Sequence, residues 1–206
     1  MFDALFRQIK DRLFVSLAKM LDIPPNLITM FSLILGGLTV GFVLQKLYLA
    51  ALIFWVLNRF FDGLDGAIAR IHQRQTDLGG YIDILFDFIT YAAIPISLVV
   101  SSPTVERYFC LTLMISTFYV NAASWMYLSA ILEKQNQGSK TSREDTTIIM
   151  PTGLVGGTET ILMYSLFFIM PEHMAILFSI MSIQYIDSWT PAAPRECPDR
   201  DLVEPI

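Results

Sequence analysis

Four aspartates whose types and spacing could do chemistry lie in one short stretch of the chain. It reads Asp62-Gly63-Leu64-Asp65-Gly66-Ala67-Ile68-Ala69-Arg70, and eight residues later Gly79-Gly80-Tyr81-Ile82-Asp83-Ile84-Leu85-Phe86-Asp87. Apolar sequence flanks the stretch on both sides, where unpaired charge is costly and is usually kept for function. On helices, a spacing of three and a spacing of four each place both carboxylates of a pair on one face. Two such helices joined by a short turn run antiparallel. Counting back from the turn at about 1.5 Å per residue sets Asp65 level with Asp83, and Asp62 level with Asp87 at greater depth. The four acids can therefore converge.

Converging carboxylates repel, and protons or cations must neutralise them. Two divalent ions balance four such charges. An all-oxygen set with no His or Cys in the motif favours Mg²⁺ or Mn²⁺ over Zn²⁺, so Asp62, Asp65, Asp83 and Asp87 are candidate ligands for two ions. An ion pair of this kind suits phosphoryl chemistry, because it clamps a diphosphate and stabilises attacking and leaving oxygens. Gly66 and Ala69 are small and three apart, which opens one helix face to a substrate. Arg70 follows Gly66 by four on that face, and its fork fits phosphate oxygens. Gly79 clears the start of the partner helix four residues before Asp83.

The elements that must position these residues are membrane helices. With 54% hydrophobic and 16% charged residues and a mean hydropathy of +0.53, the chain is too apolar for an ordinary soluble domain. The net charge of -5 includes no basic tract that would suggest nucleic acid. Cys110 and Cys197 form neither a disulfide framework nor a metal-ligand spacing.

Residues 1–22 carry Phe2, Leu5, Phe6, Ile9, Leu13, Leu17 and Met20 at three- and four-residue steps, with Arg7, Lys10, Arg12 and Lys19 between them. This pattern predicts an amphipathic helix lying in the headgroup plane. Pro24 and Pro25 end it, and Asn26 is placed to cap the next helix. Six spans are then expected: Leu27 to Leu44, Leu47 to Phe61, about Thr76 to Val100, about Tyr108 to Leu132, Pro151 to Met170, and a short one from Met174 to Ile186. Gly36, Gly37 and Gly41 offer the first span a small face for close packing. The second span has no breaker before Arg70, so one helix carries the first half of the motif out of the bilayer. Residues 187–206, rich in Pro and charge, read as a disordered tail.

With the N-terminus in the cytoplasm, twelve of the fourteen Lys and Arg residues fall inside, and only Lys46 and Arg107 fall outside. That asymmetry obeys the positive-inside rule and puts the Asp stretch at the cytoplasmic face.

Asp62-x2-Asp65-Gly66-x2-Ala69-Arg70-x8-Gly79-x3-Asp83-x3-Asp87 resembles the full signature of the CDP-alcohol phosphatidyltransferase family, at all eight fixed positions. The six-span layout extends the resemblance over residues 23–186. The resemblance implies an all-α integral membrane enzyme of the bacterial inner membrane, acting at its cytoplasmic face and homodimeric. Such an enzyme joins CDP-diacylglycerol to an alcohol acceptor and releases CMP. It further implies Asp62, Asp65 and Asp83 as metal ligands, and Asp87 as both metal-associated and the base for the acceptor hydroxyl. Gly66, Ala69, Arg70 and Gly79 would line the nucleotide and diphosphate site. The sequence departs from the family at its end, where the last helix is expected to break at Asp187 and no basic terminus follows.

Other residues carry weaker expectations. Asn26 and Thr29 lie where the cytidine could approach, Lys140 and Arg143 could meet a charged acceptor or headgroup, and Glu159 could shape the acceptor pocket. His72 and His173 are expected in loops without a chemical role. Two other classes use similar acids. Intramembrane prenyltransferases hold a diphosphate through Mg²⁺, but their two Asp-rich motifs stand far apart. Ion-coupled transporters show internal repeats and midplane acids, and neither is evident here.

Overall fold

The computed structural model describes residues 14–134 and 157–189. Within them the chain forms helices and no strand: α1 (14–20), α2 (Pro25–Leu44), α3 (Tyr48–Ile71), α4 (Asp77–Ser101), α5 (Val105–Lys134), α6 (Gly157–Ile169), a 3₁₀ turn (Pro171–His173) and α7 (Met174–Trp189). The first half of the motif lies inside α3 and the second inside α4.

The helix ends follow local chemistry. Pro25 at the first position of α2 pre-sets the helical φ, and no side chain caps that end. Asn26 is therefore not the cap expected of it. Lys46 (φ 61) and Gln73 (φ 53) take the left-handed conformation that closes α2 and α3. The reversal after α2 is tight, with Lys46 N–H donating to Val43 O at 2.8 Å and Leu47 N–H to Phe42 O at 2.9 Å. Thr76 caps α4 by accepting from Gly79 N–H at 3.0 Å. At the other end of the chain α7 continues to Trp189, past the break expected at Asp187. The rest of the expected tail, like residues 1–13 of the N-terminal helix, lies outside the described residues.

Among the described residues, length and apolarity qualify three helices to cross a membrane: Pro25–Leu44, Asp77–Ser101 and Val105–Ile131. The pair Glu159–Ile169 and Pro171–Asp187, bent by 108°, makes a fourth if it is one broken span. The expectation of six spans is thus met by three to four. Arg59, Asp62, Asp65 and Arg70 interrupt the apolar course of α3. α6 and α7, at 13 and 16 residues, are each short of the ~17–25 that a crossing takes. The outward surface is nevertheless apolar, with Leu49 74%, Phe109 71% and Leu162 60% exposed, as a bilayer requires and water would not favour.

α2 packs on both α3 and α4, α6 backs α3, and α5 packs on α7. α3 and α4 approach each other little along their backbones, meet through side chains such as Arg59 and Asp87, and both pack on α2. The main core joins Trp55, Ile94, Leu98, Tyr164, Phe167, Phe178 and Met181. A smaller cluster docks α1 through Phe14 and Ala18 on Ile28, Leu64, Ala67 and Ile68. Asp22–Arg74 (2.8 Å) and His72 Nε2 to Ala18 O (2.9 Å) tie the same region to the turn after α3. His72 thus has a structural partner.

Among the three glycines of α2, only Gly36 serves close packing. A Cβ there would stand 3.0 Å from Thr90 Oγ1, 3.2 Å from Thr90 Cγ2 and 3.4 Å from Asn58 Nδ2, whereas Gly37 and Gly41 face open space. Gly36 is the position that lets α2 lie against α3 and α4 together. Gly36→Leu should therefore cost about 1–3 kcal/mol through overpacking, while Gly37→Leu stays within about 0.5 kcal/mol. Thermal midpoints in detergent measure both, and equal midpoints would refute this role for Gly36.

Candidate active site

The acids sit on α3 and α4 where the two helices face each other. Asp65, 4% exposed, accepts a 2.5 Å hydrogen bond from Thr29 Oγ1 of α2. Thr29 also bonds Pro25 O at 3.2 Å, so the first turn of α2 orients this carboxylate. Asp62 interacts electrostatically with Asp87, and Asp83 with Asp65, Asp87 and Asp62. Asp83 Oδ1 is shielded from solvent and has no hydrogen-bond partner. Such an orphaned oxygen is costly without a counter-charge.

One cation is built into the cluster. Arg59 Nη1 donates to Asp87 Oδ1 at 2.8 Å and to Tyr91 Oη at 2.9 Å, and stands 3.6 Å from Asp62 Oδ2. Its Nε donates to Asn58 Oδ1 at 2.8 Å. The guanidinium carbon sits 4.9 Å from the ring centroids of both Trp55 and Tyr91. In the sequence, Arg59 counts only among the twelve inside charges. The available signal was a charged residue within an apolar span, three before Asp62 and so on its face.

The smaller motif residues also have definite places. Arg70, exposed, lies over Gly66, whose Cβ would stand 3.4 Å from Arg70 Nη1. Ala69 is half-buried one turn from the helix end. A Cβ on Gly79 would meet Thr76 Oγ1 at 3.0 Å and Asn26 Oδ1 at 3.3 Å, so glycine there admits both the α4 cap and the start of α2. Asn26 thus approaches α4. Glu159 is exposed in the first turn of α6, His173 closes the 3₁₀ turn, and Lys140 and Arg143 lie outside the described residues.

Among the described residues, no three carboxylates are drawn together to metal-holding distance. The donor chemistry still fits hard divalent ions: all ligands are carboxylate oxygens, and one buried oxygen lacks any partner.

Over residues 23–186 the sequence matches the family described as CDP-alcohol phosphatidyltransferase. The chain belongs to that family. It is a transferase of phospholipid biosynthesis and a membrane protein. Among its relatives, the inner membrane protein YnjF of Escherichia coli is 33% identical over 153 residues, 74% of this chain and 73% of that protein. A CDP-diacylglycerol–serine O-phosphatidyltransferase of Mycobacterium bovis is 33% identical over 75 residues, 36% of this chain and 26% of its own length. A CDP-diacylglycerol–glycerol-3-phosphate 3-phosphatidyltransferase of Aquifex aeolicus is 38% identical over 63 residues, 31% of this chain and 35% of its own. The fold is shared with the phosphatidylinositol phosphate synthase of Mycobacterium tuberculosis, whose crystal structure has CDP-DAG bound. That match has a TM-score of 0.60 at 14% identity and covers 90% of this chain and 98% of that one.

In this transferase the Thr29–Asp65 bond has a measurable consequence. Thr29→Val keeps the shape but removes the donor to a buried carboxylate, and supporting bonds of this kind are worth about 10–100-fold in activity. Turnover should fall by that amount, with Thr29→Ser near wild type. Unchanged turnover in Thr29→Val would show that Asp65 needs no such support.

Proposed function

We propose that the protein transfers a phosphatidyl group from CDP-diacylglycerol to an alcohol acceptor and releases CMP, with the acids of α3 and α4 as the catalytic centre. The observation that supports this reading is that Asp62, Asp65, Asp83 and Asp87 of α3 and α4 interact electrostatically with one another, with a shielded Asp83 oxygen that lacks a hydrogen-bond partner. Family membership supplies the reaction class.

Asp62, Asp65, Asp83 and Asp87 would hold two divalent ions, Mg²⁺ or Mn²⁺. When bound, such ions neutralise the diphosphate and stabilise the oxygens gained and lost by phosphorus. The chain's own residues do the rest. Gly66 and Ala69 leave a face of α3 open, and Arg70, lying over Gly66, offers its fork to a phosphate. Gly79 keeps the opposite wall, at the start of α4, free of a side chain. Asp87 accepts the proton of the acceptor hydroxyl. The hydroxyl oxygen bonds to the lipid-bearing phosphorus, the bond from that phosphorus to CMP breaks, and CMP departs with the electron pair.

The unit that performs this is residues 23–186, lying in an inner membrane, with the six apolar runs of the sequence as its spans. It works as a homodimer, as the family resemblance implies. The Lys and Arg asymmetry supports a site facing the cytoplasm, where CDP-lipids and polar acceptors meet.

Asp62→Asn and Asp83→Asn should each reduce CMP release from CDP-diacylglycerol with Mg²⁺ or Mn²⁺ by at least about a thousandfold, the scale on which catalytic groups act, while the proteins still fold in membranes. Asp87→Asn should lose turnover yet still bind Mn²⁺ and CDP-diacylglycerol. Near-normal turnover in Asp62→Asn or Asp83→Asn would remove the metal assignment, and normal turnover in Asp87→Asn would remove the base. Screening glycerol phosphate, inositol, inositol phosphate and serine in the same assay identifies the acceptor.

A further inference from the structure

Arg59 is a full positive charge inside an apolar helix, with its side chain only 7% exposed. An arginine that merely marks topology extends its head to the interface. This one turns inward to the acids. What holds it there is mostly neutral scaffold. Asn58, which grips Nε, donates its own amide to Ser32 O of α2 at 2.6 Å. Tyr91, which accepts from Nη1, is tied through its backbone carbonyl to Tyr164 Oη of α6 at 2.6 Å. Trp55 stacks on Tyr164 at 5.2 Å and reaches Ile161 O with Nε1. The guanidinium thus rests against two rings, on partners from α3 and α4 that α2 and α6 hold in place. Its position is set before any ligand arrives, and its charge faces Asp62 and Asp87.

Two effects follow from a fixed charge at that place. The 2.8 Å bond to Oδ1 fixes the orientation of the Asp87 carboxylate. The same charge, 3.6 Å from Asp62 Oδ2, repels any divalent ion that shares those two acids. We propose that Arg59 is a positioning residue that aims Asp87 at the acceptor and lowers the affinity of the Asp62–Asp87 pair for divalent cations. The inference rests on the preceding assignment of those acids as metal ligands.

The test uses the full-length protein in detergent, titrated with Mn²⁺ alone by calorimetry, alongside CMP release. Arg59→Gln should bind Mn²⁺ about tenfold more tightly, because a nearby like charge is gone, yet turn over at least about tenfold more slowly, because Asp87 is no longer held. Arg59→Lys keeps the charge but not the planar fork, so Mn²⁺ affinity should stay within about threefold of wild type while turnover falls. A purely structural arginine would lower both quantities together. Mn²⁺ binding in Arg59→Gln that is no tighter than wild type, or wild-type turnover in either variant, overturns the role of Arg59. If Arg59→Gln fails to fold, Arg59→Lys decides: lowered turnover at near-wild-type Mn²⁺ affinity supports the role, and wild-type turnover or an affinity lost together with turnover overturns it. Wild-type protein that binds no Mn²⁺ overturns the metal assignment itself, and the Arg59 role with it.

Discussion

Four carboxylates between two apolar helices are the constraint on which the rest of this structure depends. Carboxylates taken out of water must find donors or cations, and here every supporting element supplies part of that. α2 brings Thr29 to Asp65, α3 brings Arg59 to Asp87 and Asp62, and α4 brings Tyr91 to hold the arginine. Only Asp83 retains a shielded oxygen with no partner.

The packing serves the same end. α2 lies against both motif helices, and Gly36 is the residue that lets it do so. A third helix that touches both helps fix how α3 and α4 face each other. Beside the acids, Trp55, Tyr91 and Tyr164 form a contact set drawn from α3, α4 and α6, with ring centroids 5.2–5.9 Å apart. Aromatic pairs at such distances add about 0.5–1.5 kcal/mol each beyond their area. Here they also shape a dry seat for a cation, so the core and the site share residues.

Much of this was legible in the amino-acid order. The three- and four-residue spacings of the acids, the lack of a breaker between Phe61 and Arg70, and the Thr76 start of the next helix placed both halves of the motif on helices and paired the acids by depth. The number of spans was less legible. Apolar runs mark segments, but α6 and α7 are individually short and meet at 108°, and α3 carries its charges into the depth of the fold. Composition does not report such angles. The glycines of α2 give the same lesson: three looked equivalent, and contact separates Gly36 from Gly37 and Gly41.

Sequence alone therefore determined the helical class, the membrane setting, the family and the order of the acids along two antiparallel axes, because periodicity and spacing encode position along a helix and around it. The distance between those axes, the turn of Arg59 inward rather than to the interface, and the reach of Thr29 to Asp65 were decided only by tertiary structure. Each depends on which residue of another helix fills the neighbouring space. No spacing within one helix carries that information.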